Sequence, residues 1–195
     1  MNGSIDEKYY QENSEEYFNS TVNIDPGSFL NPLLKHLSPS STILDIGCGS
    51  GRDLLWFKNN GFKPTGFERS SKLAAMARIH SGCEVIEGDF TTFDFSLYKF
   101  DCLVSIGAFV HFAHDELTPV LSSLLKLLNE DGLFLVTLKQ GDGYFQKSDG
   151  RLYTLWRHEK LQDLFSKLNL SIIDFSTQES KLGKDDIWLG YLLKS

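Results

Sequence analysis

The chain has 195 residues, of which 41% are hydrophobic, 13% aromatic and 23% charged, with a formal net charge of −7. Fifteen Phe and seven Tyr are too much apolar surface to leave in water, which excludes a disordered chain; sixteen Gly and five Pro without a fixed period exclude a collagen-like one. The 19 Lys and Arg are scattered beside acids rather than gathered on one stretch, which argues against nucleic acid as the main partner.

Two amphipathic segments, Glu7 to Ser20 and Pro26 to Leu37, are predicted to be helices ahead of the first strand. Thr42 to Ile46 is a short β-rich run that ends in a glycine cluster. Arg52 to Asn60 then reads as a helix stopped by Gly61, and Pro64 to Phe67 as a second strand. Ser70-Ser71 caps a helix carrying Leu73, Ala74, Met76, Ala77 and Ile79. Cys83 to Ile86 and Phe100 to Ile106 are the third and fourth apolar runs. A helix opening near Asp115 stops at Asn129-Glu130-Asp131-Gly132, and Leu133 to Leu138 is the fifth run. Gly141 to Tyr153 is glycine-rich and predicts a mobile flap whose Arg151 or Tyr153 meets substrate. A helix from about His158 to Leu168 leads to a strand at Ser171 to Phe175. A polar turn, Gln178 to Asp186, joins it antiparallel to Ile187 to Leu193.

Apolar runs separated one by one by helices predict a parallel sheet covered on both faces. No apolar stretch approaches the length of a bilayer span, and the leader Met1 to Tyr17 has no apolar signal core. Cys48, Cys83 and Cys102 form no Cys-x-x-Cys pair. Together these features predict a soluble, cytoplasmic protein in a reducing compartment.

The segment that carries chemistry is Ile43-Leu44-Asp45-Ile46-Gly47-Cys48-Gly49-Ser50-Gly51-Arg52. A strand runs into three glycines and a helix begins at once, so the chain turns sharply and a ligand is expected to approach the backbone where no Cβ intervenes. The helix N-terminus offers unpaired N–H groups to an anion. A dinucleotide fingerprint wants its third glycine at position 52, and Arg52 stands there, which argues against an NAD-type oxidoreductase. Arg52 itself either faces a ligand carboxylate or extends to solvent.

With Glu68 ending the second run and Asp89 following the third, this pattern is similar to the class I S-adenosylmethionine-dependent methyltransferases. The resemblance runs from about Thr42 to the C-terminal hairpin. It implies a three-layer, doubly wound α/β fold, with a seven-stranded, mostly parallel sheet whose last strand is antiparallel. It implies S-adenosylmethionine as cofactor and S-adenosylhomocysteine as product. Asp45, Gly47, Cys48, Gly49 and Gly51 resemble the motif around the cofactor's methionine part. Glu68, within Gly66-Phe67-Glu68-Arg69-Ser70, matches the acid that holds both ribose hydroxyls, with Arg69 and Ser70 beside it. Asp89 resembles the acid at the adenine amino group and Phe90 the residue whose backbone meets the ring edge. Ser105 closes the fourth strand, beside the sulfonium.

His111, just past that strand, is expected either to act as a general base or simply to pack in an aromatic segment. Tyr10 and Tyr17 share one helical face, which either docks on the sheet or closes over the cofactor as a lid. His111 and His114 lack the further ligands a metal site needs. One domain is expected, with residues 1–41 as the helical lid and 42–195 as the core, leaving no separate substrate domain. The size predicts a small-molecule acceptor, neutral or cationic given the net charge, and the tellurite-resistance group of small methyltransferases is the nearest likeness. The competing readings are a non-catalytic cofactor-binding module, or a methyltransferase acting on RNA or protein.

Overall fold

The computed structural model describes residues 3–182 and 186–195. Residues 183–185, within the predicted polar turn, lie outside it. Two short helices, α1 (Gly3–Glu12) and α2 (Ser14–Thr21), break at Asn13 where a single helix was expected. Asn13 spends its side-chain amide on the Tyr9 carbonyl (2.9 Å), which lets the axis change direction. One turn, α3 (Gly27–Leu30), and a 3-10 stretch (Asn31–Lys35) replace the second predicted helix, because Pro32 has no N–H to continue a ladder.

The alternating unit then begins: β1 (Thr42–Ile46), α4 (Arg52–Asn59), β2 (Lys63–Glu68), α5 (Ser71–Ser81), β3 (Glu84–Glu87), β4 (Phe100–Ile106), α6 (His114–Leu124) and β5 (Leu128–Gln140). After it come β6 (Tyr144–Gln146), β7 (Leu152–Trp156), α7 (His158–Lys167), β8 (Ser171–Glu179) and β9 (Ile187–Lys194). The sheet runs β3-β2-β1-β4-β5, all parallel. Then β9 pairs antiparallel with β5, and β8 closes the edge antiparallel to β9. These seven strands are the predicted sheet.

The other two were not expected. The glycine-rich flap is an ordered hairpin: β6 and β7 pair antiparallel, and β7 joins β5 through Lys139–Leu155 and Gln140–Trp156. Gly141 and Gly143 take positive φ at its entry and Gly150 at its tip, so the glycines shape turns rather than supply hinges.

Period-two alternation sends neighbouring side chains to opposite layers. Leu44, Ile46, Phe134 and Val136 meet α6 and α7 through Leu117, Leu121, Leu161 and Phe165. Ile43, Cys102, Leu133 and Leu135 meet Leu30, Leu33 and Phe57 on the other face. A third cluster, Cys48, Leu54, Ala74, Ala77 and Val85, locks α4 to α5. Among the described residues no helix is long and apolar enough to cross a membrane. Strand order reverses between β1 and β4, so the crevice at their carboxyl ends is where a doubly wound sheet holds a ligand.

Candidate functional site

The three glycines after β1 have different tasks. Gly47 (φ 72°) is pressed against the loop after β4, where an added Cβ would fall 2.6 Å from the Cβ of Ala108. Gly51 (φ 73°) lies on α5, with Ala77 backbone and Cβ 2.9 Å from where its own Cβ would be. Both therefore serve close packing of the fold, contrary to the expectation that all three make way for a ligand. Gly49 (φ 53°) is the one that opens toward the lid, and the Tyr17 ring lies over it, Cε1 3.0 Å from its Cβ position.

Glu68 ends β2 beside this loop, 8% exposed. Its Oε2 accepts the Gly49 N–H (3.0 Å) and its Oε1 the Ser70 N–H (2.8 Å). Burial raises its pKa, and those backbone donors pull it back. Each oxygen retains a second lone pair, so the carboxylate can still accept two hydroxyl donors such as a vicinal diol. Asp45 is also buried, and its Oδ2 has no hydrogen-bond partner among the described residues. Burial, with Asp53 nearby, pushes its pKa well up. An orphaned buried carboxylate oxygen, a glycine cradle and a strand-end acid suit a ligand with an amino group and a ribose.

Arg52 does not extend to solvent, its side chain being 18% exposed. Its guanidinium folds back in a two-point pair with Asp53 (2.7 and 3.1 Å) and forms part of a cavity wall. The Cys48 side chain points into the α4–α5 cluster, so only its backbone remains on the loop. Ser105 is fully buried, and its hydroxyl finds no partner among the described residues. Asp89 stands half-open, accepting from Thr91 N (2.8 Å) and pairing loosely with Arg69 (3.6 Å). Phe90 packs its ring on Phe109 and Phe112. Ser70 caps α5 and donates to Gln11 Oε1 (2.8 Å), tying the lid to the core.

His111 sits in a 3-10 turn (Phe109–His111) beyond β4. Its Nδ1 lies 2.8 Å from the Leu152 carbonyl, which can only accept, so Nδ1 carries the proton. Nε2 is then the acceptor for the Tyr10 hydroxyl at 3.1 Å. Burial lowers the His111 pKa to about 4, and Arg151, Lys147 and Arg69 add to that. The unfolded chain thus takes up this proton before the folded one does. Stability is complete above about pH 6.5 and declines as pH falls toward 4, by about 3 kcal/mol at most. The raised carboxyls Asp45 and Glu68 act in the opposite sense, so the check is a difference. Urea titrations of native chain and His111→Asn between pH 7 and 4 should diverge, the variant showing the flatter profile. Parallel profiles would place His111 outside this linkage.

The cavity, about 380 Å³, lies between α1–α2, the β6–β7 hairpin and the ends of β4, β5 and β9. Ile106, Gly107, Tyr9, Tyr10, Tyr17, Lys139, Arg151, Tyr153 and Trp188 are among its walls; His111 is not. His111 stands behind this wall, bonded to the Tyr10 hydroxyl and with its ring 4.7 Å from that of Tyr153.

A family model for a methyltransferase domain matches residues 43–132, from β1 to the bend in β5. The fold is that of the class I S-adenosylmethionine-dependent methyltransferases. Probable tRNA methyltransferase 9B of Homo sapiens is 28% identical over 142 residues, 71% of this chain but 30% of that protein's length. An uncharacterized methyltransferase of Staphylococcus carnosus (strain TM300) is 27% identical over 135 residues, 68% of this chain and 63% of that one. In fold, the chain resembles the Burkholderia thailandensis 1,6-didemethyltoxoflavin-N1-methyltransferase, solved with 1,6-didemethyltoxoflavin and S-adenosylhomocysteine. The TM-score is 0.80 at 19% identity, over 99% of this chain and 88% of that one.

Within this methyltransferase domain the structure brings together Asp45, Gly49, Glu68 and Tyr17, and separately Tyr10 with His111. The Cys48 side chain and the Gly51 Cβ position are taken up in packing, while Ser105 keeps a buried hydroxyl without a partner among the described residues. Lys139, Phe29 and Trp188 were missed as cavity residues. A lysine ending an otherwise apolar strand run was the available signal for Lys139, while nothing local in the sequence distinguishes Phe29 or Trp188.

Proposed function

We propose that the chain transfers a methyl group from S-adenosylmethionine to a small-molecule acceptor held in the cavity behind Tyr10. The observation that carries this is a walled space of small-molecule size at the end of β4, between the lid and the hairpin. Bound S-adenosylmethionine would supply an electrophilic methyl carbon, the sulfur taking the bonding pair and leaving as a neutral thioether. Glu68 would hold the ribose diol, the Gly49 backbone and Asp45 the amino-acid end, and Asp89 with the Phe90 backbone the adenine edge. Tyr17, whose hydroxyl burial keeps protonated, covers the loop.

For an acceptor with a proton to lose, Tyr10 lines the cavity and the lone pair of His111 Nε2 stands behind its hydroxyl. The proton passes to the Tyr10 oxygen as the phenolic proton moves to Nε2, and Leu152 keeps the imidazole in the tautomer that can receive it. The acids Glu16, Asp25 and Glu179 stand exposed around the cavity, which disfavours entry of a phosphate backbone. Three unpaired cysteines suit a reducing, cytoplasmic setting.

The test supplies methyl-labelled S-adenosylmethionine to the native chain with a cell extract separated into small molecules, RNA and protein. Label is expected in the small-molecule fraction. With that product as assay, Tyr10→Phe should lower kcat at least about tenfold while S-adenosylhomocysteine affinity stays within about twofold. Label in RNA or protein would overturn the acceptor assignment. Cofactor binding without any transfer would favour a non-catalytic module.

A further inference from the structure

The cavity has a charge pattern opposite to that of the whole chain. Two of its wall residues are cations under one-tenth exposed: Lys139, 4%, at the end of β5, and Arg151, 7%, at the start of β7. Of its carboxylates, Glu16, Asp25 and Glu179 are exposed, and Asp186, paired with Lys139, is part-buried. We propose that this inner wall is an anion subsite, and that the acceptor is a ring compound carrying a carboxylate or similar anion. The proposal deepens the methyl-transfer reading and rests on it for the word acceptor.

A buried cation costs several kcal/mol unless it is paired and hydrogen-bonded. Lys139 is paired with Asp186, which uses one of its three donors. Its remaining surroundings are ring faces, Tyr153 at 4.6 Å and Trp188 at 5.2 Å. Arg151 spends Nε and Nη2 on Asp149 (3.2 and 2.7 Å) and lays its guanidinium 3.5 Å from the Tyr9 ring centroid, with Tyr10 beside it. A guanidinium has five donors; with the Tyr10 side chain also hydrogen-bonded to it, two are left.

Ring faces attract cations without satisfying their N–H groups as a carboxylate oxygen does. Both cations therefore remain able to accept an anionic group in the cavity. A cationic acceptor would meet the reverse situation. The faces of Tyr9, Tyr153 and Trp188 that would recognise it already carry the chain's own cations. It would also add like charge beside Lys139 and Arg151. The expectation of a neutral or cationic acceptor, drawn from a net charge of −7, is thus reversed at the place where the acceptor sits. The ring requirement comes from Phe29, Ile106 and Val110, apolar walls of the same cavity.

The experiment measures binding of three probes of one shape, benzoate, benzyl alcohol and benzylammonium, to the native chain by ligand-observed NMR, with and without saturating S-adenosylhomocysteine. Benzoate should bind at least about tenfold more tightly than benzyl alcohol, and benzylammonium should not bind measurably. In Lys139→Met that preference should disappear while S-adenosylhomocysteine affinity stays within about twofold. Lys139→Gln serves if the methionine variant does not fold, and the native ranking stands without either. Equal or tighter binding of benzylammonium or benzyl alcohol, no binding of any probe, or a preference that survives in the variants would overturn the subsite. Failure to bind S-adenosylhomocysteine would instead overturn the methyl-transfer reading, with the probe ranking still measurable.

Discussion

Gly51→Ala is expected to destabilise the chain by about 2–5 kcal/mol, the sum of a left-handed backbone forced on a residue with a Cβ and of overpacking against backbone. The φ of 73° supplies the first part. The Ala77 Cα, Cβ and carbonyl oxygen, all 2.9 Å from the new Cβ, supply the second. Those atoms belong to α5, which cannot yield without moving the Ala74, Ala77 and Val85 cluster. Gly61→Ala is the matched control. Its φ is 84°, but nothing lies within 4 Å, so only the backbone cost of about 1–2 kcal/mol remains. Equilibrium denaturation in guanidinium should rank the two variants in that order. Equal losses would mean that α5 can step back and that the third glycine is conformational only.

Glu68→Ala is expected to lower S-adenosylhomocysteine affinity by about a hundredfold or more, since two charge-assisted hydrogen bonds of about 1.5–3 kcal/mol each are at stake. The same change strips the Gly49 and Ser70 N–H groups of their acceptor in a buried setting, at about 1–3 kcal/mol apiece. A stability loss and an affinity loss would therefore arrive together. Glu68→Gln separates them. It keeps the volume and one acceptor oxygen but turns an NH2 toward the other N–H, so about half of the stability loss should return while affinity stays about tenfold down. Calorimetric titration beside a thermal melt reads both quantities. Glu68→Ala binding S-adenosylhomocysteine within about threefold of the native chain would remove this carboxylate from the cofactor site.

The legible part of this chain was whatever is written within a dozen consecutive residues. Thr42–Ile46 and Phe100–Ile106 are strands as expected, because an apolar run of that length with glycines beyond it has few other uses. Glu68 and Asp89 stand at strand ends for the same reason. The hairpin was not legible: Tyr144–Gln146 is only three residues long, and Gly141, Gly143 and Gly150 read equally well as freedom or as turns. Side-chain direction was hidden as well. Cys48 faces the core because Gly66 leaves room for its sulfur, 2.8 Å from where a Cβ would be, a contact between residues 18 apart in sequence. The tautomer of His111 depends on a carbonyl 41 residues away, and no local pattern reports that.

The hairpin is joined to the sheet by two residues of β5, yet it delivers Tyr153 and Arg151 to the cavity and the Leu152 carbonyl to His111 behind it. No β1–β3 residue takes part in that attachment. On the proposed reading, acceptor choice in this scaffold is therefore separable from cofactor capture. Grafting a hairpin of different length and charge between Gln140 and Arg157 would redirect the enzyme to a new class of molecule while the nucleoside half stays untouched. Divergence among relatives should concentrate there, as exchangeable cassettes on a fixed chassis.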